Sequence, residues 1–573
     1  MKKIIRILAM LLSLVLTFAL FACDAGYNKA EGDMDAAPDG FLDGMNGVAG
    51  GNTSGSISGD SSIMNGDYYF GYIPTPDESP EYNAPEGKPE GGEPSDSKPD
   101  EGEPEDPNPD DGVETNKGED AVTPLPPVSS LITSPFVDTE ENRFSTFSAD
   151  VDTASYTYFR KLVGFGYGIN ELRYSADSFR TEEFINYFRY DVKGPSEGEL
   201  FGVTTTIVPC PWNEGSLLFR ATLQTESPKT EAPNNLVFLI DVSGSMSSAD
   251  KLPLLKKAFS YLVSSLKPTD TVSIVTYSGR EEVVLDGCRG NDPERIMNAI
   301  NSLAASGSTN GEAGLKMAYQ IAEKHMSEGS NNRIIMASDG DLNVGISSAT
   351  ELKAFIEGKR DQGVYLSVLG FGTGNYRDDK MESLADNGNG VYYYIDGESE
   401  AEKVFGTDLC GTLYTVANDV KLQIEFDPDH VESYRLIGYD NRILDKEDFE
   451  NDAKDAGEVG ASHQVTVCYE IVLKPSDEAV SDYMTLRVRY KNPGEPVSRL
   501  NEYEIGAENV TVQADDDTRF IASVIELVSL IRNPQYEGDV TVESILAELQ
   551  GLELADSYKA EFRELVKALA AKK

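Results

Sequence analysis

An uninterrupted apolar run, Leu236-Val237-Phe238-Leu239-Ile240, leads directly into Asp241-Val242-Ser243-Gly244-Ser245-Met246. A run without polar alternation reads as a strand covered on both faces, the condition of a parallel sheet packed between helices. Sheets of that kind hold their ligands beyond the carboxyl ends of the strands. This strand delivers one carboxylate and two hydroxyls to that edge. Behind it, Leu252, Leu255, Phe259, Leu262, Val263 and Leu266 share one face of a helix. Short Asp/Ser/Gly stretches also make turns and helix caps, so these six residues alone do not define a site.

Two later stretches add to them. Ser306-Gly307-Ser308-Thr309-Asn310 precedes a helix with Leu315, Ala318, Ile321 and Ala322 on one side. Arg333-Ile334-Ile335-Met336-Ala337 reads as a second buried strand and runs into Ser338-Asp339-Gly340-Asp341. In this order and context the three stretches resemble the metal-ion-dependent adhesion site of the von Willebrand factor A domain. The resemblance implies Ser243, Ser245 and Thr309 as direct ligands of one divalent ion, Mg²⁺ or Mn²⁺. Asp241 and Asp339 would hold its coordinated waters. With few anions touching it, the ion would keep a position open for the Asp or Glu of a protein partner. Oxygen donors of this kind suit a hard cation that demands near-octahedral geometry. Ser338 departs from the pattern, since members often carry Thr there.

The pattern around these stretches is strand alternating with helix. Thr271–Thr276, Glu282–Leu285, Val364–Phe371 and Val391–Ile395 read as strands, and Pro293–Leu303, Lys380–Ala385 and Ala401–Leu413 as helices. Alternation predicts a doubly wound, mostly parallel α/β sheet. Gly370-Phe371-Gly372-Thr373-Gly374 misplaces the third glycine of a dinucleotide fingerprint and reads as a tight turn. Outside this region, Leu200–Val208 and Leu217–Thr225 before it, and Asp419–Phe426, Gln464–Leu473 and Met484–Tyr490 after it, alternate like half-buried strands. One β-sheet domain interrupted by the α/β domain is the economical reading, and three helices close the chain. Phe520, Val524, Ile525 and Val528 supply a core stripe there.

Ser148–Arg160 and Arg180–Tyr190, together with Arg435–Arg442 and Asp455–Thr466, resemble the flanking regions of a YfbK-like subgroup of bacterial von Willebrand A proteins. The expected organisation is a signal segment over 1–23, an acidic linker over 24–130 and an N-terminal helical region over 142–195. First strands over 200–230, the A domain over 234–415 and a C-terminal region over 419–573 complete it. Asp150 and Asp152 precede a helix and read either as cation ligands or, more commonly for that position, as caps of free backbone N–H groups.

Charge narrows the function. A net charge of −49 over 573 residues excludes a nucleic-acid binder. Five cysteines and three histidines without Cys-x-x-Cys or His-Glu-x-x-His leave no zinc motif. Lys2, Lys3 and Arg6 precede an apolar run that ends in Leu20-Phe21-Ala22-Cys23, a secretory signal resembling a bacterial lipobox. Cys23 would then carry lipid and hold the body on the outer face of the cell membrane; the alternative is an uncleaved anchor helix. From Asp24 to Ser130 there are 25 acidic and four basic residues among Gly and Pro, a composition that cannot bury a core. A flexible tether of that length spans roughly 55–60 Å. Cys210, Cys288, Cys410 and Cys468 remain, and Cys210 with Cys468 is the pairing to test if the export route oxidises them. His463, just before a strand, reads as structural, since no Ser or Cys nucleophile has a recognisable setting.

The residues therefore point to a membrane-anchored, extracytoplasmic binding protein and not to an enzyme. Two other classes remain: a structural envelope protein whose metal stabilises the fold, and a metal-dependent hydrolase. Cys23→Ser is expected to abolish lipid labelling and to release the protein or leave its precursor uncleaved. Unchanged labelling and processing would remove the lipobox reading.

Overall fold

The structure is a computed structural model that describes residues 130–227, 232–308, 311–340, 349–372, 378–475 and 482–572. Cys23, nearly all of the acidic linker, Thr309 and Asp341 lie outside the described residues. Four strands come first: β1 (Val137–Asp138), β2 (Phe144–Ser148), β3 (Phe201–Pro209) and β4 (Leu217–Thr225). The α/β domain follows with β5 (Asn234–Asp241), β6 (Thr271–Tyr277), β7 (Glu281–Arg289), β8 (Asn331–Ser338), β9 (Val364–Phe371) and β10 (Tyr392–Ile395). Six more come after it: β11 (Thr415–Phe426), β12 (Val431–Ile437), β13 (Gly457–Gly460), β14 (Gln464–Leu473), β15 (Met484–Lys491) and β16 (Arg499–Ile505).

The α/β sheet has the order β10-β9-β8-β5-β6-β7. All its pairs are parallel except β6 with β7, an antiparallel edge. β5 is buried along its whole length, as its unbroken apolar sequence requires. After β6 and β7 the chain returns to the other side of β5 to form β8. The sheet order therefore reverses between β5 and β8, and a ligand crevice opens at such a switch point.

The strands on either side of this domain join one another. β4 pairs with β14 and β3 with β4, in a sheet of order β1-β12-β14-β4-β3. β11 pairs with β15 along one side, and with β13 and then β2 along the other. Apolar residues of both sheets share one core, in which Phe426 stacks on Tyr434 at 4.0 Å between ring centroids. The α/β domain is thus an insertion between β4 and β11. Its two ends are tied together: Asn234 Nδ2 donates to Tyr414 Oη at 3.0 Å, and Asn331 Nδ2 to the Leu413 carbonyl at 2.7 Å. Neighbouring termini are what an inserted domain needs.

Several elements differ from the sequence reading. Phe144–Ser148, within the helical region expected over 142–195, is β2. The single helix expected over Ala401–Leu413 is broken into Glu398–Glu402, a π-turn at Lys403–Thr407, and Leu409–Leu413. Packing already begins at Leu131 and Ile132, both buried against the C-terminal helices. The cap reading of Asp150 and Asp152 is corrected. The helix Ala154–Gly164 has Thr153 at its N-cap with no side-chain cap bond. Asp152 Oδ1 instead accepts from Tyr392 N–H at 2.9 Å, and Asp150 Oδ1 from Asp152 N–H at 3.1 Å. Asp152 thus fastens the N-terminal segment to the edge strand β10, and Asp150 braces the turn that leads to it. All four described cysteines are free thiols. No helix among the described residues is long and apolar enough to cross a membrane.

The N-terminal helices and the C-terminal helices Asp516–Arg532, Val542–Gln550 and Ser557–Ala570 form a second core. Its aromatic centre includes Tyr156, Phe184, Phe188, Phe520 and Phe562. Phe520, Val524, Ile525 and Val528 are fully buried in it. Arg160 clamps this layer to the α/β domain. Its guanidinium donates to Asp396 at 2.6 and 2.7 Å, to Glu400 at 2.8 Å, to Tyr187 Oη at 2.8 Å and to Glu561 at 3.0 Å. Removing one member of a buried ion pair strands the charge of the other, at a cost of about 3–5 kcal/mol. Arg160→Ala is therefore expected to lose about that much stability in urea unfolding. A loss below about 1 kcal/mol would show that the clamp does not hold the two layers.

Candidate metal centre

β5 and β8 are adjacent and parallel, with Ile240 opposite Ala337. Asp241, the last residue of β5, and Asp339, the first after β8, thus come to the same edge. Asp241 is fully buried and Asp339 nearly so. A carboxylate in such a place must be held by fixed donors. Asp241 Oδ1 accepts from Ser243 N–H at 2.8 Å, and Oδ2 from the Ser338 hydroxyl at 3.4 Å. Burial, with a smaller contribution from the charge of Asp339, raises the Asp241 carboxyl to about 6, against the pull of its hydrogen bonds from Ser243.

Beyond Asp241 the chain turns through Ser243 into a short 3₁₀ segment, Gly244–Ser247. The turn places Ser243 Oγ 3.0 Å from Ser245 Oγ. Neighbouring ligands of an octahedron with metal–oxygen bonds near 2.1 Å lie about 3.0 Å apart. The hydroxyl pair thus has the spacing that two adjacent Mg²⁺ ligands need. The loop that leads to Thr309 docks on this turn. Ser306 N–H donates to the Val242 carbonyl at 2.7 Å, and Gly244 N–H to the Gly307 carbonyl at 3.0 Å. Gly307 has φ +82°, and a Cβ there would meet Ser278 Oγ at 2.5 Å, so glycine is required for this approach. The structure therefore brings Asp241, Ser243, Ser245 and Asp339 together. Thr309, like Asp341, lies outside the described residues, and the chain is followed up to Ser308 beside the site.

Lys251 was not singled out by sequence reasoning. From the N-cap of the helix Leu252–Ser264 it folds back over the turn. Its ammonium donates to Asp339 Oδ2 at 2.8 Å and to the Ser245 carbonyl at 3.0 Å. Gly372, in the turn after β9, makes room for it: a Cβ there would lie 2.2 Å from Lys251 Cε. The Gly370-Phe371-Gly372 stretch is thus a close-approach turn. Nothing in the local pattern announces a lysine six residues beyond Ser245 as a partner of Asp339. That contact depends on two strand ends meeting.

The described donors are carboxylate and hydroxyl oxygens on two loops at one sheet edge, a set matched to a hard divalent cation. The three histidines are elsewhere. His325 pairs with Asp286, His430 pairs with Asp427, and His463 is buried in the β-domain. Lys251→Met removes the ammonium from a buried carboxylate. With chelator present the variant is expected to lose about 3 kcal/mol in urea unfolding. Millimolar Mg²⁺ should restore more stability to it than to wild type. Equal stability of variant and wild type in chelator would show that Lys251 does not compensate Asp339.

Comparison with known proteins follows the same division of the chain. The family model described as von Willebrand factor type A domain matches residues 235–407. Those described as von Willebrand factor, and as Uncharacterized protein YfbK, C-terminal, match 128–220 and 411–571. The chain is 37% identical over 462 residues to the Escherichia coli K12 protein YfbK, covering 76% of this chain and 79% of that one. It is 25% identical over 364 residues to inter-alpha-trypsin inhibitor heavy chain H3 of Pongo abelii, of which it spans 40%. Among solved structures, a von Willebrand factor type A protein from Catenulispora acidiphila aligns at TM-score 0.37 and 15% identity, covering 59% of this chain and 80% of that one.

Proposed function

The chain belongs to the YfbK family of von Willebrand factor type A proteins, and from that premise we propose that it is an extracytoplasmic binding protein. It would engage an acidic side chain of a protein partner at the edge formed by Asp241, Ser243, Ser245, Thr309 and Asp339. The observation that carries this reading is the Ser243–Ser245 hydroxyl pair, 3.0 Å apart and flanked by the buried Asp241 and Asp339. A divalent ion held there, Mg²⁺ or Mn²⁺, would supply a Lewis-acidic position for a partner's Asp or Glu. Asp241 orients the turn by accepting from Ser243 N–H, and Ser338 steadies its second oxygen. Lys251 sits where it balances the charge of Asp339. Cys23, by lipid, and the acidic tether would keep this edge outside the cell membrane at a distance from its surface.

Binding is favoured over hydrolysis. Metal-assisted hydrolysis needs a general base or a second metal beside the first. The described residues around Asp241 carry hydroxyls, carboxylates and an ammonium that already hold one another.

Calorimetric titration of Mg²⁺ and Mn²⁺ into the whole purified chain tests the reading. Wild type is expected to bind one ion. Asp241→Ala removes the carboxylate that orients the turn and should weaken binding by 10–100-fold or more. Thr309→Ala should keep the fold and weaken chiefly the partner-bound state. Equal binding by wild type and Asp241→Ala, or none by either at millimolar metal, would overturn the proposal.

A further inference from the structure

A second acidic centre lies at the seam between the inserted domain and the β-domain. A cavity of about 480 Å³ opens there, lined by the N-terminal segment, by A-domain residues such as Glu382 and Asp386, and by the loop and strand from Asp455 to Glu458. Six carboxylates line it: Asp150, Asp152, Glu382, Asp386, Asp455 and Glu458. Three cationic side chains face them, Arg180, Lys353 and Arg442. The excess of negative charge is unevenly distributed. The triad Asp150, Asp152 and Glu382 already holds a guanidinium, since Arg442 Nη2 lies 3.4, 3.6 and 2.9 Å from their oxygens.

The other triad is Asp419, Asp455 and Glu458, and among the described residues no single cation pairs with all three. One carboxylate oxygen from each lies within 4.8 Å of the others. Asp455 is held by Arg360 at 3.1 Å, and Asp419 by Lys491 at 2.7 Å and by Ala456 N–H at 3.2 Å. Neither cation makes an ion pair with Glu458. Glu458 is only 9% exposed, and its Oε1 is buried without a hydrogen-bond partner. Burying a carboxylate oxygen unpaired is costly, so the position calls for a cation. Across the same cavity Asp150, 5% exposed, also has a buried Oδ2 with no partner. The backbone is shaped for the triad. β11 shifts register between Asn418 and Lys421, and Asp419 adopts φ +52° inside that bulge. Bulges of this kind re-aim a side chain.

We propose that Asp419, Asp455 and Glu458 form a second divalent-cation site, for Ca²⁺, on the β-domain side of this seam. Ca²⁺ takes six to eight oxygens at 2.3–2.6 Å in flexible geometry, so opposed ligands stand about 5 Å apart. That span accommodates the triad, and water in the adjoining cavity completes the shell. Mg²⁺ demands a tighter octahedron and belongs at the hydroxyl-bearing edge near Asp241. Asp455 also accepts from Arg360 of the A-domain helix Ala349–Arg360, so an ion that fixes Asp455 against β11 and β13 would also hold the acceptor of that helix.

The test is calorimetric titration of CaCl₂ into the whole chain carrying Asp241→Ala, which separates this site from the first. One Ca²⁺ is expected to bind, and to raise the melting temperature. Adding Glu458→Gln or Asp455→Asn should weaken binding tenfold or more and abolish the rise. Asp455 is exposed, so its variant keeps the fold, which circular dichroism checks. In the otherwise wild-type chain Asp455→Asn should lower the Ca²⁺ stoichiometry by one. A proton on Glu458 would also settle its charge, and it predicts no uptake at all. No binding at several millimolar Ca²⁺ overturns the proposal. So does binding that survives both substitutions, or binding lost in Asp150→Asn but retained in Glu458→Gln.

Discussion

Two carboxylates forced to the ends of neighbouring buried strands set the terms for much of this molecule. β5 and β8 are apolar because helices cover both faces of the sheet, and that covering excludes water from their carboxyl ends as well. Asp241 and Asp339 therefore need compensation from within the fold. Ser243 N–H, the Ser338 hydroxyl and the Lys251 ammonium provide it. Each comes from a segment whose path is fixed by something else. Lys251 can fold back only because Gly372 leaves space, and the Ser306–Gly307 loop can dock only because Gly307 takes a left-handed conformation.

The same logic recurs at the other junctions. A chain this acidic has few cations to spend, and its buried ones sit where layers meet. Arg160 joins the helical layer to the inserted domain. Arg442 joins the β-domain to the A domain and the N-terminal segment through Glu382, Asp386, Asp150 and Asp152. Arg435 pairs with the buried Glu470 and reaches the Ile132 carbonyl. Burial of such pairs gives little net stability over an apolar replacement, but loss of one partner is expensive. They are better regarded as fixing which layer faces which.

This explains what the sequence could and could not disclose. Buried parallel strands declare themselves by unbroken apolar runs, and β5 and β9 fall where those runs lie. The insertion was legible because two sets of alternating strands bracket a different pattern. β12 and β13 were not, because the strands they pair with lie elsewhere in the chain. β16 pairs with β15 directly before it, but it is an exposed edge whose charged residues hide the alternation. At the site, residues that form a local motif could be named in advance. Lys251 could not, because its role exists only once β5 and β8 are side by side. Asp150 and Asp152 were misread for the same reason. Acidic residues before a helix are usually caps, yet here Tyr392 N–H and Arg442, both distant in sequence, claim them.

The N-terminal helical layer is then part of the site's architecture and more than an appendage. Its helix Ala154–Gly164 reaches the rim of the hydroxyl turn, where Lys161 donates to Asp250 at 3.1 Å. Asp250 immediately precedes Lys251, so the residue beside the ammonium that balances Asp339 is itself held by this layer. Asp152 fastens the start of the same helix to β10, and Arg160 fastens its middle to Asp396 and Glu400. The helix is thus pinned to the inserted domain at its start, through Asp152, and again at the adjacent Arg160 and Lys161. Such multiple pinning leaves the turn at Ser243–Lys251 little freedom to drift relative to the sheet edge. A turn that is to hold the proposed metal needs that rigidity, because an octahedral cation tolerates only small errors in the positions of its oxygens.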